Sequence, residues 1–316
     1  MSTISPSDPT PIEVHVHSFS MRHHLRSDPD FDVFAYLGFA ADQGFTGVNI
    51  SANGPGLRDL GGTTPEHFAD VRAALAEHDL RCELDTSDTR PEHLTSMLHV
   101  AAAVGADQLR VYTKYEGPLR DLQAWTVRDL REVAPVAEDL GIRLVLENHE
   151  DFQGRAIAEI LAAVDHPHVR ALYDYGNSQM VGEEPLVALD EMLPWVTAVH
   201  VKDHVVVHDG ERRWVQGVAI GDGRLPIAEQ TRRLAAGGLR RFCFENVWGY
   251  VAPVVVDEIP DEPSFSLDHP HRLLRSDRLP VDEAIRGERA AFDRGWAWWR
   301  ASLAADGFVI RRSTPR

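Results

Sequence analysis

IRLVLENH (142–149), VRALYDY (169–175), VTAVHVK (196–202) and LRRFCFEN (239–246) decide the fold of this 316-residue chain. Each run is short, carries β-branched or aromatic residues, and ends on polar or charged ones, as a buried strand does where it leaves a sheet. Four more runs precede them: EVHVH (13–17), TGVNIS (46–51), LRCELDT (80–86) and QLRVYTK (108–114). Between the runs lie segments such as TPEHFADVRAALAEHD (64–79) and RPEHLTSMLHVAAAVG (90–105), with apolar residues at helical spacing. Gly44, Gly105, Gly141 and Gly238 stand just before the next strand, where a left-handed cap ends a helix. Pro65 and Pro91 occupy first-turn positions that tolerate proline.

Eight strands, each followed by a helix, predict a (β/α)8 barrel. An open doubly wound sheet alternates in the same way, but no GxGxxG follows the first strand to support dinucleotide binding. The whole chain, 1–316, reads as one domain with its barrel core over 13–245. Two segments exceed an ordinary connection. One is 203–223. The other is 247–281, ahead of a last helix near 282–304, so that 247–304 forms a C-terminal insertion and extra helix. Insertions of this length are functional lids or tolerated surface loops.

Composition narrows the function. Lys+Arg total 32 against 49 Asp+Glu, a formal net charge of -17. That balance speaks against nucleic acid and anionic membrane, which reward a positive field. Two cysteines, Cys82 and Cys243, do not make a disulfide framework. The start, MSTISPSDPTPIEV, shows no basic, apolar leader, and no apolar run approaches the ~20 residues of a membrane span. The expectation is a soluble cytoplasmic protein.

Strand parity then locates the polar residues. In a barrel one parity faces the helices and the other the lumen. Val14/Val16, Val48/Ile50, Cys82/Leu84, Leu109/Val111, Leu144/Leu146, Val199/Val201 and Phe242/Phe244 supply the apolar, helix-facing set. The lumen then receives His15, His17, Asn49, Ser51, Glu83, Asp85, Arg110, Tyr112, Lys114, Glu147, His149, Asp174, His200, Lys202, Cys243 and Glu245. The polar residues crowd the C-terminal strand ends, the face where such barrels do chemistry. Arg110 with Glu83, lower in the barrel, is expected as a buried ion pair.

Glu147, Asp174, His200 and Glu245 end four successive strands. Three carboxylates and an imidazole suit one divalent ion, Mn²⁺, Mg²⁺ or Co²⁺, with Zn²⁺ also compatible; the lack of thiolate argues against a closed structural zinc site. A hydrogen-bonded ionic plug is the structural alternative.

LENH (146–149), YDYGN (173–177), HVKD (200–203), FEN (244–246) and GVAIGDG (217–223) resemble the xylose isomerase-like superfamily, the sugar phosphate isomerase/epimerase group. The resemblance runs over most of the chain from 13 to 245. It implies a single divalent metal on Glu147, Asp174, His200 and Glu245, with the two glutamates flanking the substrate and moving protons. The chemistry coheres: a Lewis acid stabilises the enediolate formed when the carbon beside a carbonyl loses a proton. Reprotonation at that carbon epimerises, at its neighbour isomerises, and loss of a β-substituent eliminates.

Three departures bear on the choice. Ketose 3-epimerases of this superfamily carry a second Glu, a His and an Arg where this chain has Gln153, Asn177 and Val206. Asn177 and the acidic charge also count against a nuclease of the three-zinc branch. His149, two residues beyond Glu147 and so on the same parity, resembles the dehydratase and lyase branches that act on keto-cyclitols, dehydroshikimate and 3-keto-glycosides. The expectation is therefore a metal-dependent lyase on a carbonyl-bearing sugar or cyclitol, with an isomerase or epimerase as the alternative and a non-catalytic sugar-binding scaffold as the reading from another class. His149, Glu147, Glu245 and Lys202 are the expected catalytic groups, Lys202 either touching a substrate oxygen or pairing with a lumen carboxylate. His17, Tyr112, Asn177 and Trp248 are the expected substrate contacts. The C-glycoside-cleaving relatives imply a partner, a smaller β-subunit; a homo-oligomer is the other expectation. His23 and His24, near the barrel mouth, read as lining groups or a solvated loop, and Asp222 as a turn residue. Trp296, Trp298 and Trp299 cannot all share one helix stripe.

Overall fold

The computed structural model describes residues 9–209, 212–254 and 274–311. Eight parallel strands close a barrel: β1 (Thr10–His17), β2 (Gly47–Ser51), β3 (Arg81–Asp85), β4 (Gln108–Val111), β5 (Arg143–Glu147), β6 (Val169–Asp174), β7 (Val196–Val201) and β10 (Arg241–Phe244). Closure is made by β1 against β10, with Val14 beside Phe242 and Val16 beside Phe244. Helices α1 (Arg22–Ser27), α2 (Val33–Asp42), α3 (Pro65–Glu77), α4 (Pro91–Val104), α5 (Leu119–Asp139), α6 (Gly154–Val164), α7 (Pro185–Met192), α8 (Ile227–Ala236) and α9 (Val281–Ala305) surround it. The (β/α)8 expectation stands. No described helix is long and apolar enough to cross a membrane.

Parity works as the alternation demands. Val14, Val16, Val48, Ile50, Leu84, Leu109, Leu144 and Phe244 are fully buried in the helix–barrel layer. Inside, Val145, Leu172 and Ala198 form a separate small apolar cluster. Each stands two residues before Glu147, Asp174 or His200, so the strands carry a packed floor directly beneath the polar rim.

The rest of the floor is ionic, and here one expectation is corrected. Glu83 pairs with His15 (3.2 Å) and Arg241 (3.0 Å), not with Arg110. Arg110 sits in register with Asp85, two residues beyond Glu83, and its guanidinium turns to the rim, 3.1 Å from Asp85 and 3.1 Å from Glu147.

The long connection 203–223 folds rather than loops. β8 (His204–Asp209) and β9 (Arg212–Gly217) pair as an antiparallel hairpin, and β11 (Val251–Pro253) adds to β9 from the segment after the last barrel strand. Met180, Val206, Val215 and Ala252 pack together in this sheet. Most of the expected 247–281 insertion lies outside the described residues. The last helix covers the N-terminal loop: buried Glu288 accepts from the backbone N–H groups of His23 and His24 and lies 2.7 Å from the His24 ring. His23 and His24 are thus occupied in fastening α9 and do not line the barrel mouth. Trp296 and Trp299 are buried while Trp298 is exposed. β12 (Phe308–Ile310) extends the start of β1, a pairing too short to announce itself in the sequence.

Candidate metal centre and substrate cavity

Glu147 closes β5, Asp174 closes β6, His200 is the penultimate residue of β7, and Glu245 follows β10 directly. Register pairs Asp174 with His200 and His200 with Cys243, which leaves Glu245 one step up the lumen face. His200 Nδ1 lies 3.3 Å from Glu147 Oε1 and 3.9 Å from Glu245 Oε2. Donor atoms of Glu147, Asp174 and His200 all fall within 4.8 Å of one another; so do those of His17, His200 and Glu245. His200 is common to both groups.

The donor set fits a metal on an observation of its own. Glu147 Oε2, Asp174 Oδ2 and Glu245 Oε2 are buried with only the cations of Arg110 and Lys202 beside them, and buried His200 Nδ1 faces carboxylate oxygens alone. Buried polar atoms ordinarily find hydrogen-bond partners, and a nitrogen lone pair among carboxylates finds none. Three carboxylates and an imidazole, in two groups that share His200, offer a mixed O/N set suited to Mn²⁺, Mg²⁺, Co²⁺ or Zn²⁺. The second oxygen of Asp174 is already spent: Oδ1 accepts the N–H groups of Gly176 and Asn177, each at 2.9 Å, so Oδ2 alone faces inward.

Ring tautomers separate His200 from His17. Asn49 lies 3.3 Å from His200 Nε2, and its Oδ1 has no other partner. With the Asn49 amide turned so that oxygen meets Nε2–H, His200 Nδ1 keeps its lone pair for an ion, the usual arrangement of a ligating histidine. His17 is the reverse. The Phe19 N–H donates to His17 Nδ1 at 2.9 Å, so the ring proton sits on Nε2, which points toward Asp85 at 3.8 Å. Burial lowers the His17 pKa to about 4. It is a neutral donor at the cavity wall rather than a ligand.

Two buried cations balance the carboxylates. Arg110 serves Glu147 and Asp85. Lys202 Nζ lies 2.9 Å from Asp174 Oδ2 and 3.3 Å from Glu245 Oε2. Burial alone would raise the Glu147 pKa; Arg110 first, then His200, outweigh it and hold that carboxyl well below its usual range. Burial acts likewise on Glu245, which Lys202, His17 and His200 bring down to about 2. Asp174 is pushed up to about 6 by burial, with Lys202 pulling the other way. All three are ionised at neutral pH.

Above the centre opens a cavity of about 400 Å³. His17, Tyr112, Glu147, His149, Asn177, Lys202 and Glu245 line it, together with Phe19, Arg58, Arg110, Lys114, Met180 and Tyr250. His149 lies flat on Tyr112, ring centroids 3.9 Å apart and 6° from parallel, with Nδ1 unpartnered. Its environment lowers the pKa to about 3, burial first and the charges of Arg110 and Lys202 next. The ring is neutral there. Asn177 Nδ2 is 3.5 Å from Glu147 Oε1.

One expected contact is corrected. Trp248 does not line the cavity; its ring lies so close over α9 that a Cβ at Gly287 would meet it at 2.1 Å. Tyr250, two residues on, lines the cavity instead, edge-on to Phe19 at 6.0 Å. Phe19 follows a strand end and carried no sequence signal. The three departures from the epimerase pattern lie away from the cavity or differ in kind. Gln153 is an exposed helix N-cap, and Val206 is packed in the small sheet.

The loop beside the centre is held by Asp203. Its carboxylate accepts the backbone N–H groups of His204 (3.0 Å), Gly221 (2.9 Å), Gly223 (2.9 Å) and Leu225 (3.2 Å). Residue 223 must be glycine, because a Cβ would stand 2.1 Å from Asp203 Oδ1. Asp222 is in the turn so formed, bonded to Arg294. Asp203→Ala should lower unfolding free energy by about 3 kcal/mol in urea titration, since several buried N–H groups lose a charged acceptor. A loss under about 0.5 kcal/mol would show that the loop holds without it.

The family model for the xylose isomerase-like TIM barrel matches residues 37–262. The chain belongs to this family. It is 23% identical over 291 residues to the uncharacterized protein YihM of Escherichia coli, covering 89% of this chain and 87% of that one. Among solved structures, D-psicose 3-epimerase of Clostridium cellulolyticum, determined with D-tagatose, superposes with TM-score 0.65 at 15% identity, covering 92% of this chain and 99% of that one. The IOLI protein, determined with a bound zinc atom, superposes with TM-score 0.63 at 13% identity over 95% of this chain and all of that one. At such identities the likeness is one of fold.

Proposed function

We propose that this chain is a divalent-metal-dependent lyase. It would remove the proton beside the carbonyl of a keto-sugar, keto-glycoside or keto-cyclitol and expel a β-substituent. The observation that supports the metal is that the buried donor atoms of Glu147, Asp174 and His200 lie within 4.8 Å of one another, and that those of His200 and Glu245 fall in a second such group beside an open cavity. When bound, the ion supplies Lewis acidity toward the substrate's oxygens and the negative charge that develops there.

The residues divide the remaining work. Lys202 presents an ammonium to a substrate oxygen. His17, fixed as an Nε2–H donor at the cavity wall, offers a further hydrogen bond. Glu147 Oε2 is engaged by Arg110 and Glu245 Oε2 by Lys202, which leaves neutral His149 as the freer proton acceptor. Tyr112 backs the His149 ring and sets its plane.

Elimination is favoured over 3-epimerisation because Val206 is buried in an apolar cluster and Gln153 lies outside the cavity, so neither supplies the polar contacts an epimerase has there. An isomerase or epimerase is the second reading, and the epimerase among the similar folds supports it. A scaffold role gives no purpose to a buried cluster of three carboxylates and a histidine opening on a cavity.

His149→Ala should keep its metal and lose about 10²-fold or more in turnover, the scale of a lost general acid or base. The assay is release of the aglycone from a 3-keto-glycoside, run beside 3-epimerisation of free fructose and tagatose. A fully active His149→Ala protein, or brisk epimerisation of the free ketoses, would return the protein to the epimerase reading.

A further inference from the structure

Basic residues number 32 in this chain, and only Lys114 and Lys202 among them are lysines. Both line the cavity. Everywhere else positive charge comes from arginine, whose rigid fork locks onto carboxylates; a lysine is a compact charge on a mobile stem. The contrast shows at the metal centre. Arg110 bridges Glu147 and Asp85 from β4 as a fixed structural pair. Lys202 reaches Asp174 Oδ2 and Glu245 Oε2, the same two oxygens those residues turn toward an ion.

An ammonium and a divalent ion cannot both hold these oxygens closely, because like charges a few ångströms apart in a buried site repel strongly. We propose that Lys202 is a tethered cation that competes with the divalent ion for Asp174 and Glu245, keeps that ion readily exchangeable, and turns its ammonium into the substrate cavity as the ion binds. Metal occupancy and the position of the substrate-facing ammonium are then coupled through one side chain. This inference rests on the metal reading given above.

The test compares the full-length parent with Lys202→Met, which keeps the stem and removes the charge. Mn²⁺ alone is the probe, titrated against a fluorescent chelator near about pH 8, where carboxylates stay ionised. Lys202→Met should bind Mn²⁺ about tenfold more tightly or better. Equal or weaker binding would overturn the competition. Binding by neither protein would overturn the metal reading itself, and the proposal with it. A second measurement needs no variant. With only two lysines, limited acetylation followed by peptide mass spectrometry reports each one, and Lys114, exposed and outside the ion pairs, is the reference. Added Mn²⁺ should raise labelling of Lys202 relative to Lys114. An unchanged or reduced ratio in a protein shown to bind Mn²⁺ would refute the displacement.

Discussion

His200→Ala should leave a folded protein that no longer retains a divalent ion, with turnover lowered by about 10³-fold or more, the worth of several kcal/mol of Lewis-acid stabilisation. His200 is the one residue common to both groups of converging donors. Without it Glu147 loses a neighbour at 3.3 Å and Glu245 one at 3.9 Å, and three carboxylates face each other with only Arg110 and Lys202 between them. The side chain is fully buried, and its polar contacts are with Asn49 and the carboxylates of the centre rather than with the backbone, so the fold should survive its loss. Metal content by atomic emission and circular dichroism on the same sample check this. A variant with parental metal content would remove His200 from the centre.

Arg110→Met should have the largest effect on stability. The guanidinium is buried and holds Asp85 and Glu147, each at 3.1 Å. Removing one partner of a buried ion pair leaves an uncompensated charge, which costs about 3–5 kcal/mol. The loss should be read by urea unfolding in chelator, and added Mn²⁺ should recover part of it, because the ion restores positive charge beside Glu147. A change below about 1 kcal/mol, the scale of an exposed pair, would mean that Arg110 is not the counter-charge of the rim.

Much of this was legible from parity. The alternation in IRLVLENH and VTAVHVK placed Glu147 and His200 in the lumen because their neighbours must face the helices, and the register sets His200 opposite Asp174 and Glu147 opposite Leu172, two residues before Asp174. Parity gives a direction but not a height or a reach. It therefore mispaired Arg110 with Glu83, since a long guanidinium chooses between partners two residues apart. It also could not show that the backbone N–H of Phe19 fixes the tautomer of His17, that His149 stacks on Tyr112, or that burial lowers the His149 pKa. Beyond the strands the pattern ends. Residues 203–223 read as a long connection because the hairpin partners itself rather than the barrel, and Trp248 read as a cavity wall because nothing local signals that α9 returns to cover it.

The most direct test of the central claim is solvent deuterium entry at the carbon beside the substrate carbonyl. Mn²⁺-loaded protein in D₂O would be given ketoses, 3-keto-glycosides and keto-cyclitols in turn, with mass spectrometry of substrate and product, beside chelator-stripped protein and His200→Ala. Deuterium in recovered substrate, or an elimination product, is expected with at least one of these compounds and only in the loaded parent. Exchange that persists equally in the stripped protein, or none with any carbonyl sugar while Mn²⁺ is demonstrably bound, would contradict that claim.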